Sequence, residues 1–248
     1  MVPVTTPETI QKVREIIQMG GGVAFTGAGI SVESGIPPFR GPNGLWSRYD
    51  PKILDIDYFR ANPKRAWEGI LELFYLKFQN VKPNFAHFCL ADLERKGKIL
   101  GVITQNIDNL HQLAGSQRVV EFHGTASRLQ CLQCGRKYPT SQIGLEKLPP
   151  QCPQCGGVLK PDFVFFGEPI PPDAFSQSLQ WVSQANFMLV IGTSGEIQPA
   201  SQLPFLAKER GATIIEINIE SSAYTHTITD FFIQSPATKG CQLIEEMV

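Results

Sequence analysis

The clearest chemical pattern in the chain is a set of four cysteines in two Cys-x-x-Cys pairs, Cys131 with Cys134 and Cys152 with Cys155. A glycine follows each pair, which suits the tight turn after a metal-binding knuckle. Four thiolates at this spacing are typical of a tetrahedral structural zinc site. Because thiolates would fill every coordination position, none would be open to a substrate. The pattern therefore predicts a structural zinc, with four unrelated buried thiols as the alternative.

A second pattern is the glycine cluster Gly27-Ala28-Gly29, which follows an apolar run and precedes a predicted helix start. Glycines at this point let a pyrophosphate approach the backbone, and helix amides attract the anion. The dinucleotide fingerprint has a glycine at its sixth position, where this chain has Val32, so an ordinary hydride-transfer site is not expected. The polar stretch from Ser31 to Arg40 follows. Without a bound cofactor to explain it, this stretch would be an exposed loop with an ion pair.

Polar side chains also follow two other apolar runs. His123 comes directly after residues 119–122, and histidine is the side chain best suited to general-base work near neutral pH. Asn106 and Asp108 come shortly after residues 99–103, and an amide and a carboxylate suit a ribose and a carboxamide. The alternatives are a turn histidine bonded to the backbone and, for the other two residues, Asx turns or helix caps.

These residues must be positioned by the elements that precede them. Near-continuous apolar runs rich in β-branched residues predict strands buried on both faces, and helices are predicted between them from their cap, proline and glycine signals. This alternation predicts an α/β fold with a doubly wound parallel sheet, whose strands end at one ligand-binding edge. The predicted strands are 23–26, 99–103, 119–122, 187–191, 214–217 and, more weakly, 230–234, and the predicted helices are 7–19, 62–74, 84–96 and 203–210.

Two stretches do not fit this alternation. Residues 37–83 are rich in proline, aspartate and aromatic residues, and residues 126–170 contain the cysteine pairs. We expect both to pack together as a smaller helical and zinc-binding module. The larger domain would then consist of residues 1–36, 84–125 and 171–248.

Composition excludes several classes of protein. With 42% apolar and 18% charged residues among 248, the chain is globular, and its net charge of −1 disfavours general nucleic-acid binding. No apolar run approaches the ~18 residues that a membrane span requires, and no leader peptide is apparent. Six cysteines in a chain of this length do not indicate a disulfide framework. We therefore expect a cytoplasmic protein with no membrane or nucleic-acid partner.

Taken in order, the motifs resemble those of the sirtuins, the NAD-dependent protein-lysine deacylases. The resemblance covers the chain from about residue 20 onward and includes both cysteine pairs. It implies a Rossmann-like domain, a smaller zinc-ribbon and helical module, and a cleft between them for NAD and an acyl-lysine peptide. The other motifs are GAGISVESGIPPFRG at 27–41, TQNIDNLH at 104–111, EFHG at 121–124, FGE at 166–168, GTS at 192–194 and NIE at 218–220.

The resemblance also implies roles for individual residues. In the family's reaction the acyl oxygen attacks the nicotinamide ribose, nicotinamide leaves, and a histidine deprotonates a ribose hydroxyl that attacks the acyl carbon. The products are deacylated lysine, nicotinamide and O-acyl-ADP-ribose. The implied catalytic residues are His123, Asn106 and Arg40. The implied NAD contacts are Gly27, Ala28, Gly29, Ser31, Glu33, Phe39, Arg40, Gln105, Asn106, Ile107, Asp108, Gly192, Thr193, Ser194, Asn218, Glu220 and Ala237.

The acyl-lysine peptide is expected between the two modules, where an extended peptide adds to a strand edge. Residues 163–166 could equally form a strand in the core between the modules, and the two interpretations are compatible. Two other functions remain open from the sequence, a protein mono-ADP-ribosyltransferase and a noncatalytic zinc- and nucleotide-binding module. The residues expected to contact the peptide are Val164, Phe165, Phe166, Gly167, Glu168, Gly195, Glu196 and Ile197.

One sirtuin branch, specialised for succinyl and similar acidic acyl groups, carries a Tyr-x-x-Arg pair in a helix of the small domain. Here Tyr75 is followed three positions later by Phe78, and Lys77 is one position out of register. On an α-helix, residues three apart share a face and direct neighbours do not. The sequence therefore predicts neutral acyl substrates, acetyl or longer, unless Lys82 or Arg48 supplies the missing charge.

Overall fold

The computed structural model describes residues 5–38, 44, 50–76 and 80–245. The strands are β1 Gly22–Thr26, β2 Ile99–Thr104, β3 Val119–Glu121, β4 Gly124–Cys131, β5 Lys137–Pro139, β6 Leu159–Phe163, β7 Phe187–Ile191, β8 Thr213–Asn218 and β9 Phe231–Gln234. A parallel six-stranded sheet forms the centre, in the order β3-β2-β1-β7-β8-β9, and a second sheet is antiparallel, in the order β5-β4-β6. All six predicted strands lie in the parallel sheet, including the weaker one at its edge.

Helices cover both faces of the parallel sheet, which confirms the doubly wound fold. The predicted start of the first helix is confirmed, because Thr6 accepts a hydrogen bond from the amide of Thr9 and Pro7 is the first helical residue. No helix among the described residues is long and apolar enough to cross a membrane. The helices are α1 Pro7–Met19, α2 Ile56–Ala61, α3 Pro63–Ile70, α4 Phe85–Arg95, α5 Leu110–Leu113, α6 Pro172–Gln184, α7 Gln202–Glu209 and α8 Ala237–Glu245, with 3₁₀ turns at Ala28–Ser34, Pro51–Leu54 and Thr140–Gln142.

The two faces of the sheet have separate cores. Helices α1, α4 and α8 pack on one face, where Ala24 of β1 is buried. Helices α6 and α7 pack on the other, where Val23 and Phe25 are buried. Successive side chains of a strand point to opposite faces of the sheet. Since helices cover both faces, β1 and β7 are buried along their whole length. This explains why their sequences are continuously apolar.

A third core lies beneath the antiparallel sheet, where α2 and α3 pack against β4 and β6. Trp67 is fully buried there and its indole N–H donates to the carbonyl of Leu159, 2.8 Å away. Rings from the two stretches are in contact, with 5.4 Å between the centroids of Phe74 and Phe163. The two stretches that interrupt the alternation therefore share one hydrophobic core.

The segment after α3 departs from the predicted α-helix. Residues Leu71–Leu76 form a π-helix, so the α-helical spacing that the sequence argument applied to Tyr75 is wrong at that residue. Leu73 and Phe74 are both buried, and the Tyr75 hydroxyl donates to the carbonyl of Ala126, 3.1 Å away. The wider turn lets three consecutive side chains face the same core. Lys77 and Phe78 lie outside the described residues.

Candidate functional site

Loops after four strands of the parallel sheet meet at their carboxyl ends. The Gln105 side chain, after β2, donates to the Thr193 hydroxyl, 3.1 Å away. The Asn218 side chain, at the end of β8, donates to the Thr193 carbonyl, 3.0 Å away. The loop after β1 joins them, because Gly27 donates its amide to Ile191 at 3.0 Å. The structure thus brings together predicted site residues from four separate parts of the chain.

The loops after β1 and β7 are in direct backbone contact. The amide of Gly29 donates to the carbonyl of Gly192 at 2.8 Å. A Cβ atom on Gly29 would lie 2.6 Å from the Cα of Gly192, and one on Gly192 would lie 2.4 Å from the amide nitrogen of Ile30. Gly192 also has a positive φ of 63°, which glycine adopts readily. This contact leaves a small-residue cradle at the sheet edge, which fits the close approach of a dinucleotide.

A buried polar network joins Ser31, Asn106 and Asp108. The Asn106 side chain donates to the carbonyl of Gly27 at 3.1 Å and to the Ser31 hydroxyl at 3.2 Å. That hydroxyl donates to Asp108 Oδ2, 2.7 Å away, while Oδ1 accepts from the amide of Leu110 at 3.0 Å. Asp108 therefore forms an Asx turn just before α5 and also belongs to the network. Burial raises the pKa of its carboxyl.

Two histidines that the sequence argument did not assign to the site support this network. His87 Nε2 lies 3.5 Å from the Ser31 hydroxyl, and His111 Nε2 lies 3.0 Å from that of Thr26. Their ring centroids are 4.9 Å apart. Burial lowers the pKa of His87 to about 4 and that of His111 well below its usual value, so both rings are uncharged at neutral pH. The sequence signal that could have located His87 is the capping box of α4, which Asn84 and His87 form.

His123 lies where the chain crosses from β3 in the parallel sheet to β4 in the antiparallel one. Its Nδ1 is 3.2 Å from the carbonyl of Gln105. Since a carbonyl only accepts hydrogen bonds, Nδ1 carries the proton and the Nε2 lone pair is left as an acceptor. Burial lowers the pKa of this imidazole. The ring is therefore neutral at physiological pH and suited to accept a proton.

The predicted substrate strand begins immediately beside His123. The amide of Val164 donates to the carbonyl of His123 at 2.8 Å, and Phe166 pairs with the chain at Leu54 and Ile56. Phe165 is buried, Phe166 is half exposed, and Gly167 is exposed. Phe165 therefore packs in the core beneath the antiparallel sheet, whereas Phe166 and Gly167 face outward, and peptide binding at this segment stays a prediction.

The opposite wall predicted for the peptide follows β7. The amide of Gly195 donates to the Thr193 hydroxyl at 3.3 Å, and Glu196 accepts from the Ser194 hydroxyl at 3.3 Å. The carbonyl of Ile197 accepts from the amide of Ser201 at 2.9 Å. These residues continue directly from the loop that contacts Gly29.

The residues predicted for the adenosine side lie on α8 and after β8. Glu33 accepts from both the amide and the hydroxyl of Thr238, at 2.9 and 2.5 Å, which places it beside Ala237 at the start of α8. Glu220 is exposed after β8. Glu216, which no sequence motif marks, is a buried carboxylate in β8. It anchors this loop by accepting from the hydroxyls of Ser222, Thr225 and Thr229. Phe39 and Arg40 lie outside the described residues.

The four cysteines converge at the tip of the antiparallel sheet. Their sulfur atoms all lie within 4.8 Å of one another, with 3.5 Å between Cys131 and Cys155 and 3.8 Å between Cys134 and Cys152. Zinc–sulfur bonds of ~2.3 Å in a tetrahedron place sulfurs about 3.8 Å apart. Backbone amides of Gln133 and Cys134 also point at the Cys131 sulfur, both at 3.4 Å. The set fits a structural zinc ion, as predicted.

Comparisons with known proteins agree with this geometry. The sequence model described as the Sir2 family matches residues 27–199. NAD-dependent protein deacetylase 1 of Pyrobaculum aerophilum is 46% identical over 233 residues, which is 93% of this chain and 89% of that protein. The NAD-dependent protein deacylase of Pyrococcus abyssi is 42% identical over 92% of this chain and 93% of its own length.

Solved structures show the same fold. The complex of a Sir2 homologue with NAD superposes with a TM-score of 0.89 at 36% identity, over 98% of this chain and 94% of that one. A Sir2 variant bound to a deacetylated p53 peptide and 3'-O-acetyl-ADP-ribose superposes with a TM-score of 0.88 at 34% identity, over 95% and 96% of the two chains.

Proposed function

Because this chain belongs to the Sir2 family, we propose that the sheet edge around Asn106 and His123 is its active site. The protein is an NAD-dependent protein deacylase that removes acetyl or other neutral acyl groups from lysine side chains. The observation that supports this site most directly is the position of His123. Its ring is fixed by Gln105 from the NAD edge, and its backbone carbonyl is bonded to Val164 of the proposed substrate strand.

In this proposal, His123 accepts a proton at Nε2 from a ribose hydroxyl. When bound, NAD supplies the ADP-ribosyl group to which the acyl group is transferred. The Gln105 carbonyl keeps the Nδ1–H tautomer and stabilises the positive charge that the ring acquires. Asn106 and Ser31 orient the ribose and the nicotinamide from a site with little access to water, since both are buried.

The remaining NAD contacts are proposed for residues at the same edge. Ile107 and Asp108 would lie on the nicotinamide side, and Phe39 and Arg40 stay predicted NAD contacts. The glycine cluster with Ala28 would face the phosphates, and the adenosine side would be formed by Gly192, Thr193, Ser194, Asn218, Glu220, Glu33 and Ala237. The hydrogen bonds that already join Thr193 to Gln105 and Asn218 support this arrangement.

Asp108→Asn is expected to raise the KM for NAD and the inhibitory concentration of nicotinamide, each about tenfold. The amide keeps the shape but cannot accept from Ser31 and Leu110 as strongly, and losing a hydrogen bond to a charged group has an effect of this order. Steady-state kinetics with varied NAD and nicotinamide would measure it. Asp173→Asn, the same change at an exposed position on α6, is the control. Equal NAD and nicotinamide responses in both variants would contradict the assignment of Asp108.

The principal alternative is protein mono-ADP-ribosylation, since the same cleft would present an ADP-ribosyl group to a protein nucleophile. Mass spectrometry after incubation with NAD and an acetyl-lysine peptide separates the two. We expect nicotinamide, deacylated peptide and O-acetyl-ADP-ribose in equal amounts. Nicotinamide together with ADP-ribosylated protein, and an unchanged peptide, would favour the alternative.

We expect kcat/KM to be highest for neutral acyl groups, with succinyl-lysine at least about tenfold poorer than acetyl-lysine. The Tyr75 hydroxyl already donates to the carbonyl of Ala126 and is not available to a succinyl carboxylate. Burying that carboxylate without a cation is costly. Leu73 and Phe74 are apolar and buried in the same core, whereas Lys82 is exposed. Arg48 lies outside the described residues. Acetyl, myristoyl and succinyl versions of one peptide would measure the preference, and a succinyl preference would refute it.

We also propose that the two sets of elements are separate modules, with residues 37–83 and 126–170 forming the smaller one. The shared core of α3 and β6 supports this division. A cytoplasmic location is proposed because a tetrathiolate zinc site requires reduced cysteines, which that compartment maintains.

A further inference from the structure

We propose that Lys160 is a positioning residue for the acylated substrate, because its buried ammonium holds the turn Phe165–Glu168 to which the peptide binds. This inference rests on the proposed function, and specifically on the assignment of residues 164–168 as the substrate strand. Lys160 lies on β6, paired with Gln130 of β4, and no role in the chemical step is required of it.

Lys160 is a fully partnered buried cation. It is only 3% exposed, and its Nζ donates to the carbonyls of Pro161 and Phe163, at 2.9 and 2.7 Å, and to a carboxylate oxygen of Glu168 at 2.9 Å. An ammonium has three N–H donors, so each has one partner. The charge also lies 4.0 Å from the centroid of the Phe165 ring. A buried charge is stable only with such compensation.

The partner of Lys160 closes the turn. Besides the ammonium, Glu168 Oε2 accepts from the backbone amide of Phe165 at 2.9 Å, and the amide of Glu168 donates to the carbonyl of Phe165 at 3.0 Å. Gly167, between them, has a φ of 88°. Without the cation, the Glu168 carboxylate would be left as an unpaired, partly buried charge. Its movement toward water would release the amide of Phe165 and open the turn.

The geometry of the strand explains why the turn matters for peptide binding. The amides of Val164, Phe165 and Phe166 already donate to His123, Glu168 and Leu54, respectively. A peptide carbonyl therefore finds no unused N–H group in residues 164–166. The next amide along the chain belongs to Gly167, which is exposed and lies inside the turn that Glu168 and Lys160 hold. A peptide carbonyl that pairs with this segment would therefore use the Gly167 amide, within this turn.

Lys160→Met, which keeps side-chain length without charge, is expected to raise the KM for an acetyl-lysine peptide about tenfold, the order expected for losing a charge-assisted hydrogen bond. The kcat and the KM for NAD should stay within about twofold of wild type. Glu168→Gln should raise the peptide KM in the same direction, and the double variant should be no worse than Lys160→Met, because both residues act on one turn. Lys147→Met, at an exposed lysine of the same module, is the matched control and should change none of these constants.

An unchanged peptide KM in folded Lys160→Met protein would overturn the proposal. So would a parallel loss of kcat and NAD affinity, which indicates a general structural defect. If Lys160→Met does not fold, Glu168→Gln decides the question, since it retains the side-chain shape. Photo-crosslinking from benzoylphenylalanine at position 166 to the peptide tests the strand assignment separately. Crosslinking from position 166, together with a peptide KM that neither Lys160→Met nor Glu168→Gln changes, would refute the role of Lys160 and leave the strand assignment intact.

Discussion

Replacing His123 with alanine is expected to lower kcat for deacylation by about 10²–10⁴-fold, the range of general-base assistance. The Kd for NAD should change little, because the ring is bonded to Gln105 through a backbone carbonyl and makes no bond to the Ser31, Asn106 and Asp108 network. Single-turnover deacylation and calorimetric titration of NAD would measure the two quantities. Deacylation within a few fold of wild type would show that another group takes the proton.

The pH dependence of the wild-type enzyme provides an independent check on His123. Burial disfavours the charged imidazolium and lowers the pKa of His123. The neutral form that accepts a proton therefore persists to more acidic pH than for an exposed histidine. We expect the acid limb of the kcat/KM profile to lie below the usual histidine value of about 6.5. A limb at or above that value would contradict the assignment.

Replacing Cys131 with alanine is expected to remove zinc and to lower the melting temperature by at least about 10 °C. Binding free energy at a structural zinc site is folding free energy, and each kcal/mol lost shifts the midpoint by about 2–4 °C in a chain of this size. The cluster lies at the end of β4, whose last residue is Cys131, and both Cys131 and Cys152 are buried. Metal analysis and thermal unfolding would measure the effect, and deacylation should fall in parallel.

The matched control is Cys89→Ala, the same chemical change at a buried cysteine on α4, outside the cluster. This variant should keep its full zinc content. A Cys131→Ala protein that is shown to be zinc-free and yet unfolds at the wild-type temperature would refute a structural role for the metal.

Most of the fold was predictable because the parallel sheet is buried on both faces. Continuous apolar runs such as Phe187–Ile191 have few alternatives in a chain with clear helix caps. The edge residues were predictable for a related reason, because strands of one direction must end together. His123 and Asn106 could therefore be placed near one another although no local pattern relates them.

Residues that act through distant contacts were not predictable in this way. Lys160 resembles any surface lysine in sequence, and only the fold shows Glu168 and two carbonyls around its ammonium. The contact between Glu33 and Thr238 likewise joins opposite ends of the chain. The π-helix at Leu71–Leu76 was missed because apolar spacing alone does not distinguish it from an α-helix when three consecutive side chains are drawn into one core.

Gly29 and Gly192 touch backbone to backbone, at distances where any Cβ atom would collide with the opposite loop. Every substitution at either position should therefore be lost from a library selected only for folded protein, before NAD is ever supplied. Divergence at one glycine has to wait for movement of the other loop, so the two positions are constrained to evolve together. If both glycines are invariant among variants, the cause would be the contact between the two loops and not necessarily a contact with NAD. In a deep mutational scan of this enzyme, cofactor contacts should therefore be assigned only at positions that tolerate replacement in the folding selection.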